Sequence, residues 1–236
     1  MENQANWRAP IAIACYIALF AGILVASIIV AFIIIGFGLD VQNLPFPSSL
    51  LSIPVTELII LGITLFFAKR KGANLQQLGL KKPKLNTIVI VTIGAILLIF
   101  LAGTISIIEE AILGPDPAAQ ELLTALLPQN SLQLILLLSF SILLVGPAEE
   151  LAFRGFIQRG LQNSFGKIAG LLATSLMFGL LHGLNSLRAI IPVTIISILL
   201  GYVWQKTDGN TTGVAWMHGL YDAITITLAY VASVYA

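Results

Sequence analysis

The sequence predicts an all-α polytopic membrane protein, a bundle of about seven transmembrane helices around an intramembrane polar site. Three observations lead there. Of the 236 residues, 58% are hydrophobic and only 10% are charged, whereas a soluble domain is about half apolar and about a quarter charged. The excess comes in long uncharged runs, as membrane helices require. The few ionisable residues inside those runs gather in three places instead of scattering.

Taking about twenty apolar residues per crossing, spans are expected near 11–37, 50–67, 87–108, 132–154, 168–187, 190–205 and 213–234. The first follows the polar stretch "MENQANWRAP" and is uncharged from Ala9 to Leu39. That is too long for the core of a cleavable signal and long enough to cross with tilt. The second holds Pro54 and Glu57. The fourth is expected to continue as helix towards Asn163 and to form a hairpin with the fifth through "NSFGK". The sixth is short and contains Pro192. No strand alternation interrupts the series, so residues 1–236 read as one integral membrane domain. Within it, 1–130 carries spans without a specific motif, and 131–236 carries the polar core.

Orientation follows from the lysines and arginines. The loop between spans two and three holds six of the twelve: Lys69, Arg70, Lys71, Lys81, Lys82 and Lys84. With seven spans, Arg8, Arg154, Arg159, Lys167 and Lys206 fall on the same side, and only Arg188 dissents. The segment 109–131 has four acids and no basic residue. The expected topology is therefore N-terminus cytoplasmic and C-terminus outside, in the plasma (inner) membrane. Glu109 and Glu110, on the outer side, read as a solvated helix end.

A net charge of +1 gives no reason to expect nucleic acid as a partner. The single cysteine, Cys15, excludes an internal disulfide and a cysteine-rich metal site, and reads as a small buried hydrophobe.

An ionisable residue inside a span costs about 2.5–3.5 kcal/mol, so each one needs a reason. Glu149, Glu150 and Arg154 lie on span four, His182 on span five, and His218 and Asp222 on span seven. Glu150 and Arg154 are four apart and share a helix face, as do His218 and Asp222. Glu149 is rotated by about 100° from its neighbour. In the hairpin, Glu149 and His182 are equidistant from the turn near Phe165 and Gly166, so they reach similar depth and can meet. These six groups are expected to converge in the cytoplasmic half of the bilayer. Glu57 stands alone, near a membrane interface or facing the bundle, and its glutamine variant is expected to change activity less than tenfold. Buried pairs of this kind also serve as glue between helices, so spacing alone leaves both readings open. Gly179 and Gly183 read as packing positions, and Pro147 as a source of a freed carbonyl and a kink in span four.

Three motifs in order, "EELAFR" (149–154), "FGLLH" (178–182) and "HGLYD" (218–222), resemble the CAAX-protease and bacteriocin-processing family of intramembrane proteases, also called the Abi family. The resemblance covers about residues 130–236. It implies an endopeptidase that hydrolyses membrane-associated or C-terminal-tail substrates. Glu149 is then similar to the base that activates water, with His182 sharing the task, and Glu150 to the partner of Arg154. His218 and Asp222 are similar to the residues that stabilise the oxyanion. An ionised Asp222 can only accept hydrogen bonds, so it is assigned to holding the His218 ring, with direct donation by a protonated Asp222 as the alternative.

The site is read as metal-free, without a cofactor. A zinc ion held by Glu149, His182 and His218 is the alternative, although no H-E-x-x-H occurs in the chain. The expected partners are the lipid bilayer and a peptide or protein substrate. The family name points to prenylated tails, but no prenyl-binding signature is present, and nothing in the sequence sets the oligomeric state. A non-catalytic bacteriocin-immunity or peptide-binding protein is the second reading. A transporter is the third, weakened by the lack of an inverted repeat.

Overall fold

A computed structural model describes residues 6–40 and 44–235, so the first five residues of the polar N-terminal stretch lie outside the described residues. All regular structure among the described residues is helical. The helices are α1 (Ala9–Gly36), α2 (Ser49–Arg70), α3 (Leu85–Leu113), α4 (Pro117–Leu126), α5 (Ser131–Phe165), α6 (Lys167–His182), α7 (Ile190–Lys206) and α8 (Thr211–Tyr235).

Five helical segments are long and apolar enough to cross a membrane: α1, α2, α3, α5 and the stretch Leu187–Lys206 that contains α7. Seven were expected. The fifth expected span stops at His182, so α6 has only 16 residues, and a short 3₁₀ turn at Leu187–Ala189 leads into α7. The seventh, α8, runs for 25 residues, but His218, Asp222 and several threonines dilute its apolar character. Large apolar side chains stand exposed along α1 and α3, including Phe32, Phe100 and Ile107. Such a belt suits lipid and not water. The chain is an integral membrane protein.

Element ends follow local chemistry. Asn130 caps α5 by accepting from the Gln133 N–H at 3.0 Å, and Asp116 caps α4 through Ala119 at 3.2 Å; both replace a missing intrahelical bond. Gly166, at φ 83°, turns α5 into α6, a conformation that side chains with a Cβ resist. Pro192 falls in the first turn of α7, where its missing N–H costs no helical bond. The helix α4 was not expected from the sequence. It lies in the acidic segment, held by the Ser49 hydroxyl donating to the Leu126 carbonyl at 2.9 Å.

One end of the bundle gathers the basic segments. Trp7 stacks on Phe156 with ring centroids 4.8 Å apart and donates to the Phe156 carbonyl at 2.8 Å. The loop after α2 tucks Leu78 into the core, where its carbonyl accepts from the Thr211 hydroxyl at 2.7 Å. Gly79 accepts from the Thr211 N–H at 2.9 Å, and Lys81 donates to the Asp208 carbonyl at 2.8 Å. The chain before α1, the loop after α2, the end of α5 and the turn before α8 therefore share one end, as the charge pattern required. At the centre, α5 touches α1, α2, α6, α7 and α8.

Candidate active site

Pro147 has no N–H to give to the turn before it. The chain responds with wide π-type turns over Ser141–Val145 and Leu151–Gln158, and the Gly146 N–H donates to the Ser141 carbonyl five residues back. Such turns change which way successive side chains point, and they recur at functional sites. Glycines then let α5 and α8 touch backbone to backbone. A Cβ on Gly146 would strike the Ala215 carbonyl, and a Cβ on Gly219 would lie 2.5 Å from the Ser141 carbonyl oxygen. His218 and the two glutamates are carried on this contact.

Glu150 and Arg154 are both 0% exposed. Glu150 Oε2 lies 3.1 Å from Arg154 Nε, as an ion pair more than an aligned hydrogen bond. Arg154 Nη2 also donates to the Ser197 carbonyl at 3.0 Å and its hydroxyl at 2.9 Å, and the guanidinium lies 5.1 Å from the Phe178 ring centre. A buried charge held this way is stable only while its partners remain. Ser197 was not found from the sequence, because a serine in an apolar helix carries no distinguishing pattern.

The second oxygen of Glu150 reaches His218, with Oε1 2.8 Å from Nδ1. At the other ring nitrogen, Nε2, Asp222 Oδ2 lies at 3.5 Å and Glu149 Oε2 at 3.7 Å. Sequence spacing paired His218 with Asp222 and Glu150 with Arg154. The structure joins both pairs through Glu150, and Asp222 faces the nitrogen that Glu150 leaves free. Carboxylates stand at both ring nitrogens, so both are placed to donate.

His182 is the last residue of α6. Its Nδ1 lies 3.1 Å from the Phe178 carbonyl, and a carbonyl can only accept, so Nδ1 carries a hydrogen, and in the neutral ring Nε2 is the acceptor. The Phe178 ring packs on His182 at 4.6 Å and faces His218 at 6.0 Å. Glu149 and His182 line one cavity of about 540 Å³, as their matched register required.

The position of that cavity differs from the expectation. The site was expected in the half of the bundle next to the Phe165–Gly166 turn. His182 instead stands at the far end of α6, and a second cavity that includes it is lined by Glu109, Glu110 and Asp116 of the acidic segment. The reason is the short α6, which ends where a full crossing would continue. Glu57 is the other departure: it does not stand alone. It is 5% exposed and lines the same cavity as Glu149 and His182. Its place on the bundle side of α2 agrees with the expectation. The signal that would have found its neighbours is tertiary.

Among the described residues, no three His, Cys, Asp or Glu side chains are gathered closely enough to hold a metal ion. In the set Glu149, His182 and His218, Glu150 holds His218 at Nδ1 and leaves Nε2 as the ring nitrogen open to a ligand.

Residues 131–224 match a family model, Rce1-like, described as type II CAAX prenyl endopeptidase Rce1-like. No curated protein and no solved structure matches the chain. The match bears out the resemblance carried by the three motifs. It spans the parts of α5, α6 and α8 that supply Glu149, Glu150, Arg154, His182, His218 and Asp222, and it leaves out α1 to α4.

Proposed function

We propose metal-free intramembrane peptide-bond hydrolysis centred on Glu149 for this chain, whose residues 131–224 match the Rce1-like CAAX prenyl endopeptidase model. The observation that carries this reading is the cavity wall shared by Glu149 and His182, with His218 anchored beside it by Glu150 at 2.8 Å. Glu149 takes a proton from water as the water oxygen attacks the carbonyl carbon of the scissile bond. His182 Nε2, with its lone pair, accepts a hydrogen bond from the same water. The carbonyl π electrons move to oxygen, and His218 Nε2–H donates to that oxyanion, a contribution of about 3–4 kcal/mol for one preorganised donor. As the C–N bond breaks, Glu149 returns its proton to the leaving amine. Glu150 and Arg154 hold α5 and the His218 ring in place, and Asp222 positions the ring from its Nε2 side.

The substrate is a membrane-associated or C-terminal-tail peptide. The protein crosses the membrane seven times with its N-terminus in the cytoplasm of the plasma membrane. The gathering of the basic segments at one end of the bundle supports this topology. The test is cleavage of quenched membrane peptides by detergent-purified protein, with Glu149→Gln and with a chelator. Glutamine at 149 should lower the rate by about 10²–10⁴-fold with the melting curve unchanged, as expected for loss of a general base. The chelator should have no effect. Loss of wild-type cleavage on chelation, restored by zinc, would replace the metal-free mechanism.

A further inference from the structure

Glu57 is the buried acid that the mechanism does not use. Its Oε2 has no hydrogen-bond partner, the side chain is 95% buried by its 5% exposure, and it borders the cavity. Glu149, which lines the same cavity, is an acid as well. A carboxylate in an apolar surround needs a donor or a counter-charge. Among the described residues lining this cavity there is no lysine or arginine. Arg154, the buried cation nearby, is already committed to Glu150 and Ser197.

The cavity, of about 540 Å³, offers both hydroxyls and apolar side chains to a peptide. One wall, on α2, presents Ser52 and Thr56 beside Glu57. Leu137, Leu181 and Ile226 add apolar side chains to the lining, beside Asn185 and Thr225. Hydroxyls can meet peptide groups while the apolar lining takes side chains. The nearby cation Arg154 is taken up by Glu150 and Ser197, so a cation from the substrate would give Glu57 the counter-charge that the cavity lining lacks.

We propose that this cavity binds the substrate peptide with a lysine or arginine side chain against Glu57, close to the bond cleaved at Glu149. The inference rests on the protease reading and adds the substrate's charge to it. Glu57 acts as a specificity-determining residue, in the part of the chain that the family match leaves out.

The experiment compares membrane peptides in which one lysine, walked through each position, is exchanged for uncharged norleucine of similar length. Wild-type protein should cleave the lysine peptide at one or two positions at least tenfold better in kcat/KM, mainly through KM. Glu57→Gln should lower that lysine-to-norleucine ratio at least tenfold, a larger effect than the sub-tenfold change in activity that the sequence alone led us to expect, because Glu57 borders the cavity. A wild type indifferent to the exchange at every position overturns the inference without any variant, since Glu57 would then be a neutral hydrogen-bonding acid. An unchanged ratio in Glu57→Gln overturns it as well. If the wild type cleaves nothing, the protease reading fails, and binding of the same peptides in detergent decides this inference. Tighter binding of a lysine peptide, lost in Glu57→Gln, supports it; equal affinity for both peptides overturns it.

Discussion

Glu150 on α5 and His218 on α8 are joined by a 2.8 Å contact, while the other oxygen of Glu150 faces Arg154 at 3.1 Å. One fully buried carboxylate therefore ties the buried cation Arg154 to the His218 ring.

Glutamine variants of the two adjacent glutamates should fail differently. Glu150→Gln leaves Arg154 with an unbalanced buried charge, at a cost of about 3–5 kcal/mol, and loosens His218 as well. Melting curves should show a large drop, with activity lost in parallel. Glu149→Gln should melt like the wild type and lose only cleavage. Equal destabilisation by both would show that Glu149 is also part of the glue.

Asp222→Asn should keep cleavage within about tenfold, equivalent to about 1.4 kcal/mol of barrier. Glu150 already holds His218 at Nδ1, so the ring keeps its orientation, and an asparagine at 222 still offers an acceptor near Nε2. Steady-state kinetics on the purified variant checks this. A loss above a thousandfold would place the negative charge of Asp222 in the chemistry itself.

Gly219→Ala should damage the site without touching a polar group. Its Cβ would lie 2.5 Å from the Ser141 carbonyl oxygen and 2.8 Å from the Ile142 Cα, atoms of backbone that cannot rotate away. Separating α5 from α8 should cost about 1–3 kcal/mol, the usual range for overpacking, and reduce cleavage more than stability because His218 moves off Glu150. Wild-type kinetics in this variant would mean the two helices adjust without cost.

Cysteine labelling should place Gly72 and Val234 on opposite sides of the membrane. Gly72 begins the basic loop after α2, and Val234, 57% exposed, closes α8. Labelling of both from one side would remove the seven-crossing topology, and α6, with 16 residues, would be the first helix to reconsider.

The membrane class, the helix series, the gathering of basic segments at one end and the three polar motifs were legible from residue order. Each depends on composition or on spacing along one helix, quantities that a sequence carries directly. The matched depth of Glu149 and His182 was legible too, since a short turn ties their helices together. Other features depended on how helices rotate and lean against one another. Glu150 meets His218 because glycines at 146 and 219 allow α5 and α8 to touch, and because the wide turns around Pro147 redirect the side chains. Arg154 finds Ser197 across a helix that carries no pattern. Glu57 enters the site because α2 turns that face towards the cavity, and no spacing rule reaches between separate helices. The site stands at the far end of α6 because that helix stops at His182, where an apolar run alone would have continued to 187.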